Sequence, residues 1–156
     1  MSYDSNGMRT QKTVGGVKTN YYYDSNKNLI ALVKGNDTLL FYYDSDGNAT
    51  SFSYNGTMYF YVKNLQGDVV RIIDLSGTEV ASYVYDAWGN IKDTKGEPTI
   101  RELNPIRYRS YVYDTETGLY YLQSRYYDPL TGRFLNADDA EFILSLIHIS
   151  EPTRPY

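Results

Sequence analysis

Cysteine is absent from the 156 residues, which excludes disulfide staples and thiolate metal centres and leaves the redox compartment open. Histidine occurs once, and no Gly-rich phosphate loop is present. No apolar run approaches the length of a membrane-spanning helix. The first residues, MSYDSNGMRTQKTVGG, lack a basic n-region, an apolar core and a small-residue cleavage site, so no signal peptide is legible. Excess positive charge is missing as well: 15 Lys+Arg stand against 19 Asp+Glu, a net charge of -4, and the charges are scattered. That balance disfavours a nucleic-acid partner and predicts that the charges are solvated surface.

What the chain does have is tyrosine, 19 of them. Tyrosine favours strands and joins an apolar ring to a hydroxyl that must stay wet or find a partner. Tyr3-Asp4, Tyr23-Asp24 and Tyr43-Asp44 recur at intervals of about twenty residues, each ending a strand-like run and opening a turn rich in Ser, Asn, Asp or Gly. Looser copies follow at Tyr85-Asp86, Tyr113-Asp114 and Tyr127-Asp128, the last before a turn ending in Gly132. An aspartate leaving a strand accepts hydrogen bonds from turn amides, while Asn or Gly takes the positive-φ position. These residues are therefore read as a structural turn motif.

On this basis the strands are VKTNYYY, LIALVK, TLLFYY, ATSFSY, TMYFYV, VVRIID and TEVASYVY, with Asn55-Gly56 as the strongest hairpin signal. Strands this short joined by turns this tight run antiparallel, so the expected fold is all-β, an antiparallel meander of Tyr-Asp hairpins. No stretch before residue 140 keeps apolar residues at helical spacing, and little or no helix is expected there. Lys95-Gly96-Glu97-Pro98 reads as a loop or boundary. Such a meander exposes two open edges and covers only one face well.

Candidate chemistry is sparse. Asp44, Asp46 and Asn48 around Gly47 resemble the start of a calcium loop, but Asn55 stands where its glutamate is required, so a turn is the better reading and no metal is expected. Trp88 is read as packing against neighbouring hairpins, with stacking on a sugar as the alternative. Arg107, Arg109, Arg125 and Arg133 are read as pairing with Asp114 or Asp128, or as lining an interior.

From Asn104 onward, NPIRYRSYVYDTETGLYYLQSRYYDPLTGRFLNADD resembles the Rhs repeat-associated core, the segment that closes Tyr-Asp (YD) repeat arrays in bacterial Rhs, wall-associated and related toxin proteins. The resemblance implies a larger spiral β-sheet shell that encloses a C-terminal toxin, with the core curling in to plug one end. It divides the chain into repeat hairpins at 1–103, core at 104–139 and a truncated continuation at 140–143. Several relatives of this kind cleave themselves just after the core with paired aspartates. Asp138 falls at the first of these, but Asp139 replaces the usual proline and the downstream Asp-Pro-x-Gly is missing. One carboxylate cannot serve as both acid and base, so no catalytic residue is assigned and the chain is not expected to be an enzyme.

After NADDAEFI the string LSLIHISEPTR resembles the translation of a sequencing adapter, so residues 144–156 are read as an ill-packed artefact. The single histidine, His148, lies within it and carries no site, nor do Ser145, Ser150 and Glu151. The chain is thus expected to be a shell piece of a longer secreted or cell-surface protein. Its partners would be the rest of its own chain and a toxin domain, with no cofactor. The competing reading is a cell-surface carbohydrate-binding repeat module.

Overall fold

The computed structural model describes residues 1–123 and 125–136, and the readings placed on Asp138, Asp139 and 140–156 lie outside them. Among the described residues the chain forms two antiparallel meanders in strict chain order, one of ten strands and one of four.

The first sheet contains β1 (Ser2–Tyr3), β2 (Arg9–Val14), β3 (Val17–Tyr23), β4 (Leu29–Lys34), β5 (Asp37–Tyr43), β6 (Ala49–Tyr54), β7 (Thr57–Lys63), β8 (Val69–Ile73), β9 (Glu79–Tyr85) and β10 (Ile91–Gly96). At one end the hairpins close in two residues, as at Asn55-Gly56, where φ values of 48° and 92° give the turn the hand that matches strand twist. At the other end five-residue aspartate or asparagine turns join the strands, and the Asp74 turn between β8 and β9 brings one such turn to the end that holds Asn55-Gly56. Beside most of these turns the ladder slips by one residue, between Tyr22 and Tyr23 and again between Tyr42 and Tyr43. A bulge of this kind breaks the two-residue alternation. Leu29 and Leu32, three apart in β4, are consequently both buried.

The repeat shows in the buried face. The slots held by Leu29, Ala49 and Val69, and by Leu32, Phe52 and Ile72, recur one repeat apart and form the main core with Leu39 and Phe41. The opposite face is bare, leaving Val17, Tyr22, Ile30, Leu40, Tyr42 and Val84 exposed. β10 ends the array with exposed Lys92, Asp93 and Lys95 on its outer edge, a charge pattern that discourages further pairing.

Past Gly96 the chain crosses the buried face. A short helix, α1 (Pro98–Leu103), occupies the stretch read from sequence as loop. Glu97 caps it by accepting from the amides of Thr99 and Ile100, and Pro98 sits at its first turn, where a missing N–H costs nothing. Six residues are too short for a helical period to register, and this one short helix agrees with the expectation of little or no helix. A 3₁₀ turn at Tyr108–Ser110 follows, then the second sheet: β11 (Val112–Asp114), β12 (Leu119–Leu122), β13 (Arg125–Asp128) and β14 (Arg133–Leu135). Ile100 and Ile106 from the crossover join the array's core.

Candidate functional site: the seam between the two sheets

The turns at Asp4, Asp24, Asp44, Asn64, Asp74 and Asp86 share one plan. In each, the side-chain Oδ1 accepts from the amides two and four residues on, at 2.8–3.0 Å. Asn64 and Asp74 follow Lys63 and Ile73, so the acceptor side chain makes the turn and the tyrosine does not. The tyrosine has a separate task. Tyr23, Tyr43 and Tyr85 donate through their hydroxyls to the carbonyls of Arg9, Leu29 and Val69, each the first residue of the adjacent strand, at 2.6–2.7 Å. Those bonds fall beside the bulges, where ladder pairing is broken. The Asp44 carboxylate sits below the usual carboxylate range because the Asn48 amide stabilises its charged form. This turn geometry accounts for Asp44, Asp46 and Asn48, and no cluster of metal-ligating carboxylates occurs among the described residues.

Asp114 departs from this plan. It is buried and accepts both guanidinium nitrogens of Arg9 at 2.8 and 2.9 Å, while Lys12 Nζ reaches it at 3.2 Å and Glu116 at 2.8 Å. Burial alone would raise the Asp114 pKa, but Arg9 and Lys12 outweigh it and the net shift is downward. Burial likewise opposes the charge on Arg9, and Asp114 reverses the effect. The Arg9 guanidinium lies 4.5 Å from the Tyr21 ring centroid and 4.6 Å from that of Tyr121, one ring from each sheet. One ion cluster therefore bolts the second sheet to the first hairpin of the array. The expectation that charges are solvated surface is corrected at Arg9, Lys12 and Asp114.

A second bolt is uncharged. The consecutive carbonyls of Ala87, Trp88 and Gly89 each accept from a tyrosine hydroxyl, Tyr108 at 3.0 Å, Tyr127 at 2.6 Å and Tyr120 at 2.8 Å. Asn90 donates to the Pro129 carbonyl at 2.9 Å. Gly89 has φ 98°, and a Cβ there would lie 2.5 Å from the Tyr108 ring, so glycine is required twice over. The Trp88 indole lies over Gly132 yet stays 59% exposed, a partial packing role. Asp128 caps its own turn through the Leu130 amide at 3.0 Å.

The four arginines do not pair with Asp114 or Asp128. Arg107 is buried between the rings of Tyr83 and Tyr113, 4.8 Å from each, and donates to the carbonyls of Asn104, Arg101 and Glu102, closing the C-terminal end of α1. Arg109 lies over Tyr108 and Arg125 over Phe134. No ion pair joins Arg133 to either aspartate among the described residues. Sequence reasoning missed Arg9 and Lys12, although a signal existed: they occupy the slots that later repeats fill with Leu29 and Leu32. A charge in an otherwise apolar slot calls for a buried partner.

These contacts bind the two sheets to each other. The Teneurin YD-shell family model matches residues 33–154, a range that takes in most of the tail read above as adapter-derived. The tRNA nuclease WapA of Bacillus subtilis strain 168 is 44% identical over 139 residues, covering 87% of this chain and 6% of that protein. The tRNA3(Ser)-specific nuclease WapA of Bacillus spizizenii is 45% identical with the same coverage. The double-stranded DNA deaminase toxin A of Burkholderia cenocepacia is 37% identical over 69 residues, 44% of this chain and 5% of that one. The chain thus spans a small fraction of these relatives. Among solved structures, TcdB2-TccC3-Cdc42 superposes with a TM-score of 0.59 at 17% identity, covering 86% of this chain and 9% of the other. TcdB2-TccC3 without its hypervariable C-terminal region gives 0.58 at 20% identity, over 80% and 7%. At these identities the structures bear on fold alone, whereas the family match covers well over half of the chain. The chain belongs to the YD-shell family of Rhs/YD-repeat proteins.

Proposed function

We propose that this chain is a wall segment, with its closing core, of a shell that encloses a C-terminal toxin region of a longer secreted or cell-surface protein. The observation that carries the reading is the seam. The ten-stranded meander has one face sealed by the chain that follows it, through a buried ion cluster and a row of tyrosine hydroxyls. Sealing a sheet with downstream chain is what closing a shell requires. The nuclease and deaminase activities named for the relatives would reside in sequence outside this chain, which acts as container and not as enzyme. The test is limited proteolysis of the full-length parent. The C-terminal region is expected to resist digestion in the native protein and to become cleavable when Asp114→Ala opens the seam. A C-terminal region cut at the same rate in both would sink the reading.

A carbohydrate-binding role has one observation in its favour: Tyr22 and Tyr42, one repeat apart, lie half exposed on the bare face. Strands two apart place them about 10 Å from each other, a separation that suits sugar rings. Glycan-array binding abolished by Tyr22→Ala with Tyr42→Ala would support it. The row does not continue, since Val62 follows in the next repeat, so the shell reading is preferred.

A further inference from the structure

The face of the ten-stranded sheet turned away from the seam carries a relief that runs across its strands. Residues directly opposite each other in neighbouring strands share a face, and one such row is Tyr22, Ala31, Leu40, Ser53 and Met58, from β3 to β7. Large and small side chains alternate along it. The next row, Tyr42, Ser51 and Phe60, is again large, small, large on β5 to β7. Strand β6 is therefore the floor of a groove. Ser51 and Ser53 are only 6% and 5% exposed although they lie on the open face, because Leu40 and Tyr42 stand on one side of them and Met58 and Phe60 on the other. About 450 Å³ of groove surrounds Ser53, with Thr38, Asn55 and Gly56 at one end.

Neither row carries a charged side chain. An apolar relief of this extent left open to water marks a contact surface. The floor adds a second requirement. Ser51 Oγ meets only Thr50 Oγ1, at 3.5 Å, and the Ser53 hydroxyl faces the groove without a hydrogen-bond partner among the described residues. What fills the groove must therefore be a tall, mainly apolar ridge that also brings a polar atom. The chain owns such a ridge next to the groove: Leu40 and the phenol of Tyr42, both half exposed on β5.

Because ridge and groove are adjacent strands, a twofold axis parallel to the strands above the β5–β6 boundary lays the ridge of each copy over the groove of the other. In the first row Leu40 then faces the copy's Ser53 and Met58 faces its Ala31. In the second row Tyr42 faces the copy's Ser51. Tall side chains meet short ones at each of these positions, the interdigitation found between aligned sheets about 10 Å apart. The area suffices as well. Strands β3 to β8, about 4.8 Å apart and about 20 Å long, offer about 600 Å² in plan before the relief is counted. A stable interface buries about 600–1,000 Å² on each partner. We propose that this face is a self-association surface, on which a second copy of the chain packs about that twofold axis. The pairing covers Tyr42 and leaves the sealed face and its seam untouched, so it stands independently of the shell reading.

The test follows the full chain by sedimentation velocity from about 1 to about 100 μM, where a species of twice the monomer mass is expected to grow in and the thermal midpoint to rise with concentration. Leu40→Lys, at a half-exposed position, should weaken association by about tenfold or more and leave the far-ultraviolet circular dichroism unchanged. Ser53→Arg, which fills the floor, should weaken it as strongly. The chain has no cysteine, so single cysteines report the geometry. Leu40→Cys mixed with Ser53→Cys should be joined by a short bis-maleimide far more efficiently than either variant alone. A chain that stays monomeric throughout overturns the proposal. So does a dimer that Leu40→Lys and Ser53→Arg both leave intact, which would place the contact elsewhere, and so does linkage of Leu40→Cys chains to one another as efficient as linkage to Ser53→Cys. Association weakened about tenfold on raising salt from about 50 to about 500 mM would assign the contact to charges and overturn it too.

Discussion

The array and the second sheet use the same dipeptide for different ends. In β1–β10 the aspartate of each Tyr-Asp pair accepts from amides within its own turn, and Tyr23, Tyr43 and Tyr85 reach a carbonyl of the neighbouring strand, while Tyr3 meets the Tyr126 hydroxyl of the second sheet at 2.9 Å. In β11–β14 Asp114 faces Arg9, more than a hundred residues away in sequence, and Tyr127 and Tyr120 reach across to the Trp88 and Gly89 carbonyls. The array is thus held by local bonds repeated many times, the second sheet by distant bonds made once. A repeat can lose one copy of a local bond and keep its neighbours. The seam has no spare copy.

That contrast predicts a hierarchy of losses. Asp114→Ala strands the buried Arg9 and leaves Lys12 with Glu116 alone, and should cost about 3–5 kcal/mol in chemical denaturation. Replacing the cluster with Arg9→Leu, Lys12→Leu and Asp114→Leu, the residue types that later repeats carry in the first two slots, should restore most of that stability or exceed it. If the triple variant is as weak as the single, packing and not charge governs the seam.

Acid should reveal the same site. The folded-state pKa of Asp114 is depressed, so its contribution is complete above the ordinary carboxylate value of about 4 and is lost as pH falls through the lower folded value. Stability measured from about pH 5 down to about pH 2 should therefore fall less steeply for Asp114→Ala than for wild type. Asp24, Asp44 and Asp86 are also depressed by their turn amides and neighbouring asparagines, leaving a residual slope. Equal slopes would show that the turns, and not the seam, set acid sensitivity.

Gly89→Ala should cost about 2–4 kcal/mol, the left-handed backbone together with overpacking against Tyr108. Gly47→Ala has the same backbone but open space around it, so about 1–2 kcal/mol is expected there. The difference between the two thermal midpoints isolates the seam's share. Asn64→Ala, which removes one copy of the repeated turn acceptor, should cost about 1 kcal/mol. A loss as large as that of Asp114→Ala would erase the distinction between the regions.

Legibility in the sequence followed distance along the chain. The hairpins could be placed because a turn is decided within five residues, so Asp24 through Asn28 or Asn55-Gly56 state their geometry in their own letters. Helix α1 was partly written: Glu97 followed by Pro98 is a cap and a first turn, but six residues carry no period. Arg9 and Lys12 were legible as anomalies once the repeats are aligned on Leu29 and Leu32, though not the identity of their partner. Arg107 and Asp114 were both read as members of a Tyr-Asp and arginine pattern, and the structure separates them, one against carbonyls and rings, the other against Arg9.

By itself, then, the amino-acid sequence determined an all-β meander with its turns and its repeating apolar slots, because side chains two to four residues from an amide are already within hydrogen-bonding reach. Only the tertiary structure decided which face is sealed and which aspartate is a bolt. Those choices depend on two sheets meeting, and burial is what makes a distant charge pair obligatory.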